Sequence, residues 1–122
     1  LPIHPRLRKA IGERRYENLI LEEPLGYLDM MKLCHDAEIV ITDSGGLQKE
    51  AYWLRTPCLT LRTESEWTEI LETGWGALVD PESENIAAAF ARRSRPETHP
   101  ELYGDAHASE RIVSSIEDWL AR

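Results

Sequence analysis

Several features that mark common protein classes are missing from this 122-residue sequence. Its only cysteines are Cys34 and Cys58, which lie in apolar surroundings without C-x-x-C or paired-histidine spacing, so neither a disulfide framework nor a metal site is expected. No apolar run approaches the roughly 20 residues that span a bilayer, and the N-terminus lacks the layout of a signal peptide. We therefore expect two reduced core cysteines in a cytoplasmic protein without a membrane partner, a metal or a cofactor.

Positive charge is also scarce. Lys and Arg total 14 against 22 Asp and Glu, which gives a formal net charge of -8 at pH 7. This excess of negative charge repels polyanions, so DNA, RNA and anionic membranes are disfavoured as partners. A small anion held by local backbone donors is compatible with the same composition. The length suits one domain, residues 1–122, and is short for an enzyme that closes two domains around a substrate.

Short β-rich runs alternate with helical patterns along the chain, which is typical of an α/β fold with a Rossmann-like parallel sheet flanked by helices. Strands are predicted at residues 1–3, 18–21, 38–42, 58–61 and 77–79. Helices are predicted at residues 6–14, 27–36, 47–54, 65–73, 84–93 and 110–120, the last two packed on the domain by apolar stripes. Residues 95–107 are expected to be irregular. Because the first strand is already under way at Leu1, without an initiator Met, we expect the chain to be part of a longer protein.

The most informative stretch is IVITDSGGLQKEA at residues 39–51. A buried strand leads through Ser44, Gly45 and Gly46 directly into a helix, so the first backbone N–H groups of that helix point beyond the strand's carboxyl end. Unpaired donors and the positive end of the helix dipole coincide there, which favours an anion. The glycines let a phosphate approach the backbone without a Cβ in the way. Ser44 either only caps the helix or also donates its hydroxyl to a phosphate oxygen.

Glu50 extends this interpretation from a phosphate to a nucleotide. It follows Gly46 by four residues, so it projects from the same helix face about 6 Å further along. That spacing suits the ribose of a nucleoside diphosphate, whose cis-diol can donate two hydrogen bonds to one carboxylate. The alternative is a solvated helix glutamate. A Walker lysine and a G-x-G-x-x-G pattern are both missing, which argues against P-loop hydrolysis and dinucleotide binding.

Seven sequence blocks, spread over nearly the whole chain, carry a family resemblance. They are HPR at 4–6, EPLGYL at 23–28, TDSGGLQKEA at 42–51, PCLTLR at 57–62, SEWTE at 65–69, GW at 74–75 and YGD at 103–105. In order and spacing they resemble the C-terminal domain of the non-hydrolysing UDP-N-acetylglucosamine 2-epimerases. The resemblance implies one half of a two-domain, B-type glycosyltransferase-like arrangement that holds a UDP-sugar between its halves. It also implies a missing N-terminal domain and a possible homodimer of the full-length protein.

Site residues follow from the resemblance position by position. The turn at residues 44–46 matches the diphosphate site, and Glu50 matches the ribose-binding glutamate. Met30 matches a position near the uracil, with a core methionine as the alternative. His4 matches a histidine that contacts a second, regulatory nucleotide-sugar in some bacterial members.

One block departs from a common family pattern. Some members have Thr-Glu-Arg-Pro-Glu, whose arginine reaches the phosphates, whereas this chain has Trp67 at the arginine position. Trp67 supplies no positive charge, although it resembles a second family pattern with tryptophan there, so the sugar stays open. Arg62 is either the replacement for the missing charge or a surface arginine.

The family inverts the carbon that bears the acetamido group by eliminating UDP and adding it back. That reaction needs an acid–base group and an anion site for the departing diphosphate, and the chain supplies the second. The family's catalytic carboxylates and histidine belong to the N-terminal part, so no catalytic residue is assigned here. The loop glutamates are interpreted as solvated charges, with Glu66 the one nearest the expected cleft.

Other classes of protein share parts of this pattern. Half of a hydrolysing epimerase or of a UDP-sugar glycosyltransferase would share the anion site and differ in its product, and a non-catalytic nucleotide-sugar sensor would differ in having no product. A response-regulator receiver domain is also acidic and five-stranded. It needs an acidic pair after its first strand and a lysine after its last, whereas here the first strand leads into His4-Pro5-Arg6.

Overall fold

A parallel sheet of three strands, β1 (Val40–Thr42), β2 (Cys58–Thr60) and β3 (Gly76–Leu78), lies at the centre of the computed structural model, which describes residues 1–82 and 86–122. The spatial order is β1-β2-β3, with Val40 opposite Cys58 and Cys58 opposite Gly76. Each connection between parallel strands passes through a helix, as the alternating pattern predicts. The α/β class and the flanked parallel sheet are thus confirmed.

Six helices are found in the described part of the chain: α1 (Pro5–Ile11), α2 (Tyr27–Asp36), α3 (Gly45–Trp53), α4 (Thr68–Glu72), α5 (Ile86–Ala91) and α6 (Ala108–Leu120). All six were predicted, although the first two residues of the helix predicted at 84–93 lie outside the described residues. The helix predicted at 65–73 begins only at Thr68, because Ser65 and Trp67 are bound within a loop: the Trp67 backbone N–H donates to Ser65 Oγ at 3.1 Å. Residues 95–107 contain no helix or strand, as expected.

The prediction of strands at residues 1–3 and 18–21 was wrong. The N-terminal segment forms only an isolated parallel bridge between Pro2 and Glu22, closed by hydrogen bonds from Ile3 N–H to Glu22 O and from Glu22 N–H to Leu1 O. Leu19 donates its N–H to Tyr16 O in a turn instead. A β-rich run becomes a strand only where a neighbouring strand offers a row of partners, and none is offered here among the described residues.

Three clusters of buried side chains hold the helices to the sheet. Because successive side chains of a strand point to opposite faces, Cys58 and Leu59 of β2 belong to different clusters. The first cluster lies under α2 and α3, the second joins α3 to α4, and the third lies under α5. Their members are Cys34, Val40, Ala51 and Cys58; Tyr52, Ile70 and Trp75; and Leu59, Val79 and Ala89. Both faces of the sheet are therefore covered.

The two cysteines are free and buried, which confirms that they are reduced core residues. Burial raises the pKa of the Cys58 thiol to about 11, although a contact with the Thr60 hydroxyl partly offsets the shift. Cys58 therefore stays a neutral thiol in the folded chain at physiological pH and acts as a small apolar side chain.

Helix α6 does not pack as predicted. Its apolar stripe is more than half exposed at every position: Ile112, Val113, Ile116, Trp119 and Leu120. The period of the stripe correctly indicated an amphipathic helix, but the two faces of the sheet are covered by other helices. The expectation that α6 packs on the domain was therefore wrong for this chain. Among residues 1–82 and 86–122, no helix is long and apolar enough to cross a bilayer.

Candidate functional site

The turn between β1 and α3 has the strand–turn–helix geometry that the sequence predicts. β1 ends at Thr42, and Ser44 is the N-cap of α3, with its Oγ accepting a hydrogen bond from the Leu47 N–H at 3.4 Å. The Ser44 N–H donates to Thr42 Oγ1 at 3.0 Å. The N–H groups of Gly45 and Gly46 find no acceptor within residues 1–82 and 86–122. Two adjacent backbone donors are thus available at the positive end of α3.

The two glycines of this turn have different surroundings. A Cβ added at Gly45 would lie 2.7 Å from Glu66 Oε1 and 3.8 Å from Arg62 Nη1, so the glycine lets these side chains approach the turn. A Cβ added at Gly46 would meet nothing closer than the Ser44 hydroxyl at 4.0 Å. The described protein therefore gives no steric reason for glycine at position 46.

Glu50 lies one turn further along α3, partly buried. Among residues 1–82 and 86–122, no hydrogen bond or ion pair of the Glu50 carboxylate is found. Burial, followed by the negative charge of Glu50, raises the pKa of the Cys34 thiol on α2, so the carboxylate acts across the contact between α2 and α3. A partly buried carboxylate without a partner can accept hydrogen bonds from a ligand.

A charged pair stands over the start of α3. Arg62 Nη1 and Glu66 Oε2 are 2.9 Å apart, and both side chains lie within reach of Gly45, as the glycine geometry shows. Arg62 thus lies beside the turn with its charge paired with Glu66, and its role as the replacement for the missing charge stays a prediction. The pair is partly exposed, so it contributes little to stability.

Three side chains that the sequence analysis did not assign to the site join the loop at residues 62–67 to the turn. Trp67 donates its indole N–H to Gly45 O at 2.8 Å. Ser65 donates its hydroxyl to Gln48 Oε1 at 2.7 Å, and Gln48 donates its amide to Ser44 O at 3.3 Å. All three lie in the sequence blocks that carry the family resemblance, but for Trp67 the sequence indicates only the absence of a positive charge. A pattern of residue types does not reveal which polar atoms become buried partners.

An aromatic group packs behind this loop and surrounds one lysine. The Lys49 ammonium lies 4.3 Å from the ring centre of Tyr103, 4.8 Å from that of Trp67 and 5.3 Å from that of Trp53. Tyr103 also donates its hydroxyl to Glu69 Oε1 at 3.0 Å, and burial together with this bond raises the pKa of Tyr103. The Trp67 ring is thus fixed by a cation–π contact with Lys49 and by edge-to-face packing against Tyr103.

Two predicted site residues are occupied elsewhere. Met30 packs against the first core cluster, which favours the alternative of a core methionine. His4 is the N-cap of α1, and its Nδ1 accepts a hydrogen bond from the Arg6 N–H at 3.3 Å. Within the described residues, no hydrogen bond or ion pair joins either side chain to the turn at residues 44–46. Their contacts with a nucleotide stay predictions.

Comparison with known proteins gives a consistent answer. A protein-family model described as UDP-N-acetylglucosamine 2-epimerase matches residues 1–117. A UDP-N-acetylglucosamine 2-epimerase homolog of Methanococcus maripaludis is 40% identical over 94% of this chain and 34% of its own length. A UDP-2,3-diacetamido-2,3-dideoxy-D-glucuronate 2-epimerase of Pseudomonas aeruginosa is 41% identical over 95% of this chain and 34% of its own length.

A solved structure agrees with these matches. The Methanocaldococcus jannaschii UDP-GlcNAc 2-epimerase, in complex with UDP-GlcNAc and UDP, superposes with a TM-score of 0.80 and 34% identity over 95% of this chain and 34% of that one. The chain thus spans about a third of the length of the relatives that it matches. The sequence match, the fold and the turn at the start of α3 lead to one conclusion: the chain belongs to the UDP-N-acetylglucosamine 2-epimerase family.

Proposed function

We propose that this chain is the C-terminal, UDP-binding domain of an epimerase that interconverts UDP-N-acetylglucosamine and its manno epimer. The observation that carries the proposal is the open turn at the start of α3, where the Gly45 and Gly46 N–H groups are unpaired among the described residues. The diphosphate binds these donors, and the ribose diol binds Glu50. An N-terminal domain outside this chain supplies the other half of the cleft.

Gly46 supports this assignment because no described residue gives a steric reason for glycine at this position. Glycine in a helix is less favourable than alanine, and no described atom lies close enough to exclude a methyl group at this position. A ligand that approaches the backbone closely is a physical reason to keep the position bare. Gly45 differs, since there the Glu66 carboxylate occupies the space.

Gly46→Ala is therefore expected to affect stability and binding in opposite directions. Its free energy of unfolding should rise by about 0.4–1 kcal/mol, because alanine has fewer conformations to lose on folding. Its affinity for UDP should fall, because the new methyl group stands between the donors and the diphosphate. Urea unfolding and calorimetric titration with UDP measure the two effects. Unchanged UDP affinity in a folded Gly46→Ala chain would remove the diphosphate from this turn.

Glu50→Ala tests the ribose contact separately. The variant is expected to lose about 1.5–3 kcal/mol of UDP binding free energy, since a charge-assisted hydrogen bond is removed. Pyrophosphate has no ribose, so its affinity should change far less. Calorimetry with both ligands gives the comparison, and Glu72→Ala, an exposed glutamate on α4, is the matched control. Equal losses for UDP and pyrophosphate would take Glu50 out of the nucleotide site.

Arg62 is the side chain that supplies positive charge to the diphosphate in the proposed function. Its guanidinium lies beside Gly45 and is held by Glu66, so an incoming diphosphate competes with that carboxylate for the same cation. Arg62 then supplies the positive charge that Trp67 does not. In the reaction, this charge and the α3 donors stabilise the UDP that leaves the sugar during elimination. Proton transfer at the sugar is assigned to the N-terminal domain.

The substrate class is better supported than the individual sugar. One relative is named for UDP-N-acetylglucosamine and another, at nearly the same identity, for a UDP-diacetamido sugar acid. A half of a hydrolysing epimerase or of a glycosyltransferase would use the same UDP contacts, and a sensor would bind UDP-sugar without turnover. The product formed by the complete protein distinguishes these alternatives.

A further inference from the structure

Two side chains hold the carbonyl oxygens on the reverse side of the proposed diphosphate site. Trp67 Nε1 donates to Gly45 O at 2.8 Å, and Gln48 Nε2 donates to Ser44 O at 3.3 Å. Ser44 O already accepts the Gln48 backbone N–H at 3.4 Å, so the side-chain bond is an additional one. These contacts require no ligand, and they lie on peptide groups that the proposed function uses.

The planarity of the peptide bond connects these carbonyls to the donors. In a trans peptide, the C=O of one residue and the N–H of the next lie in one plane and point in opposite directions. The Gly45 carbonyl therefore shares its plane with the Gly46 N–H, and the Ser44 carbonyl shares its plane with the Gly45 N–H. A side chain that fixes either carbonyl also fixes the direction of the donor on the other side. Donation to the carbonyl polarises the peptide and strengthens its N–H as a donor.

Gln48 gives independent support for a dedicated contact. Gln48 is only 2% exposed, and burying an amide is unfavourable unless both ends are hydrogen-bonded. Its two ends are bonded to Ser44 O and to the Ser65 hydroxyl. Ser65 Oγ in turn accepts a hydrogen bond from the backbone N–H of Trp67 at 3.1 Å. One continuous network thus links the loop at residues 62–67 to both peptides of the turn.

We propose that Trp67 and Gln48 are positioning residues that aim the Gly46 and Gly45 N–H groups at the diphosphate. The proposal rests on the function proposed above and assigns Trp67 a task that differs from that of an arginine at its place. Trp67 acts on the ligand through the backbone, from the opposite side of the peptide. Its ring is held by Tyr103 and Lys49, so the donor that it presents has a fixed direction.

The test compares Trp67→Phe with Trp75→Phe in the 122-residue chain. The two tryptophans are matched, because each donates an indole N–H to a backbone carbonyl at 2.8 Å, Trp67 to Gly45 and Trp75 to Thr98. Pyrophosphate is the probe, titrated while the Gly45 and Gly46 amide resonances are followed by NMR. Trp67→Phe should weaken pyrophosphate binding about threefold to tenfold, which is the effect of one neutral hydrogen bond. Trp75→Phe should leave the affinity within about twofold, as expected when only a core contact is lost.

The ligand-free spectra separate positioning from general destabilisation. Trp67→Phe should shift the Gly46 amide resonance and Trp75→Phe should not, even if both lower the unfolding midpoint equally. Ser65→Ala, a change in the loop, provides a second variant in case Trp67→Phe does not fold, and it should shift the Gly45 amide resonance. If folded Trp67→Phe keeps wild-type pyrophosphate affinity and leaves the glycine amides unshifted, this inference is overturned while the proposed function stands. If Trp67→Phe does not fold, the same result for Ser65→Ala has the same meaning. If pyrophosphate does not perturb Gly45 and Gly46 in the wild-type chain, the proposed function fails together with it.

Discussion

Tyr52→Ala is expected to lower the free energy of unfolding by about 3–5 kcal/mol, the usual cost of removing a fully buried aromatic ring. Tyr52 is 1% exposed on α3, and its ring stacks on His99 at 4.2 Å between centres. Its hydroxyl donates to Pro100 O, and its own carbonyl contacts His99 Nε2 at 2.7 Å. Removing the side chain leaves a cavity in the second core cluster and leaves Pro100 O without the hydroxyl that donates to it. Small domains are stable by only about 5–15 kcal/mol, so much of the total is lost.

Tyr27→Ala is the matched control for this change. Tyr27 is also a helical tyrosine, the first residue of α2, but it is 63% exposed, so the same substitution should change stability by no more than about 0.5 kcal/mol. Urea unfolding followed by circular dichroism compares the two midpoints. Equal midpoints for Tyr52→Ala and Tyr27→Ala would mean that the segment at residues 98–103 does not cover α3 in solution.

The parts of the fold that the sequence predicted correctly are those whose signals are local. β1 and β2 are short apolar runs bounded by turn residues, and each leads into a helix. The run at 18–21 has the same composition, but a strand also requires a partner at hydrogen-bonding distance, which no local pattern reports. Helix α6 also shows that a local pattern does not report tertiary partners. Its period predicted an apolar face correctly, but it contains no information on what covers that face.

In the candidate site too, the local turn was predictable from the sequence and the long-range contacts were not. The turn with Ser44, Gly45 and Gly46 was predictable, because a strand, two glycines and a helix start within a few residues define its geometry. The contact of Trp67 with Gly45 joins positions 22 residues apart, and the bond from Ser65 to Gln48 spans 17. Such contacts depend on how the loop after β2 folds back over α3. Residue spacing alone cannot supply that tertiary information.

The isolated 122-residue chain is expected to bind UDP weakly and to convert no UDP-N-acetylglucosamine to its manno epimer. Binding is weak because Ser44 and Gly46 face solvent, where the end of a helix contributes only about 0.3–2 kcal/mol and salt screens it further. Turnover is expected to be absent because the proposed function places proton transfer in an N-terminal domain outside this chain. Within the chain, Glu66 is paired with Arg62 beside Gly45, and His4 caps α1. The chain spans about a third of the length of its relatives, so most of their residues have no counterpart here.

The measurement is a proton NMR assay of the manno epimer with the purified chain, run beside a full-length relative as the positive control. Adding the separately expressed N-terminal domain should restore some turnover if the two parts dock, since the proposed function places the anion site in one part and the acid–base groups in the other. Conversion by the chain alone would contradict this division of roles. Glu66→Gln and Glu64→Gln would then locate the missing acid–base group, because both are exposed loop glutamates and only Glu66 lies against Gly45. Activity lost in Glu66→Gln and kept in Glu64→Gln would assign proton transfer to the carboxylate that stands over the start of α3.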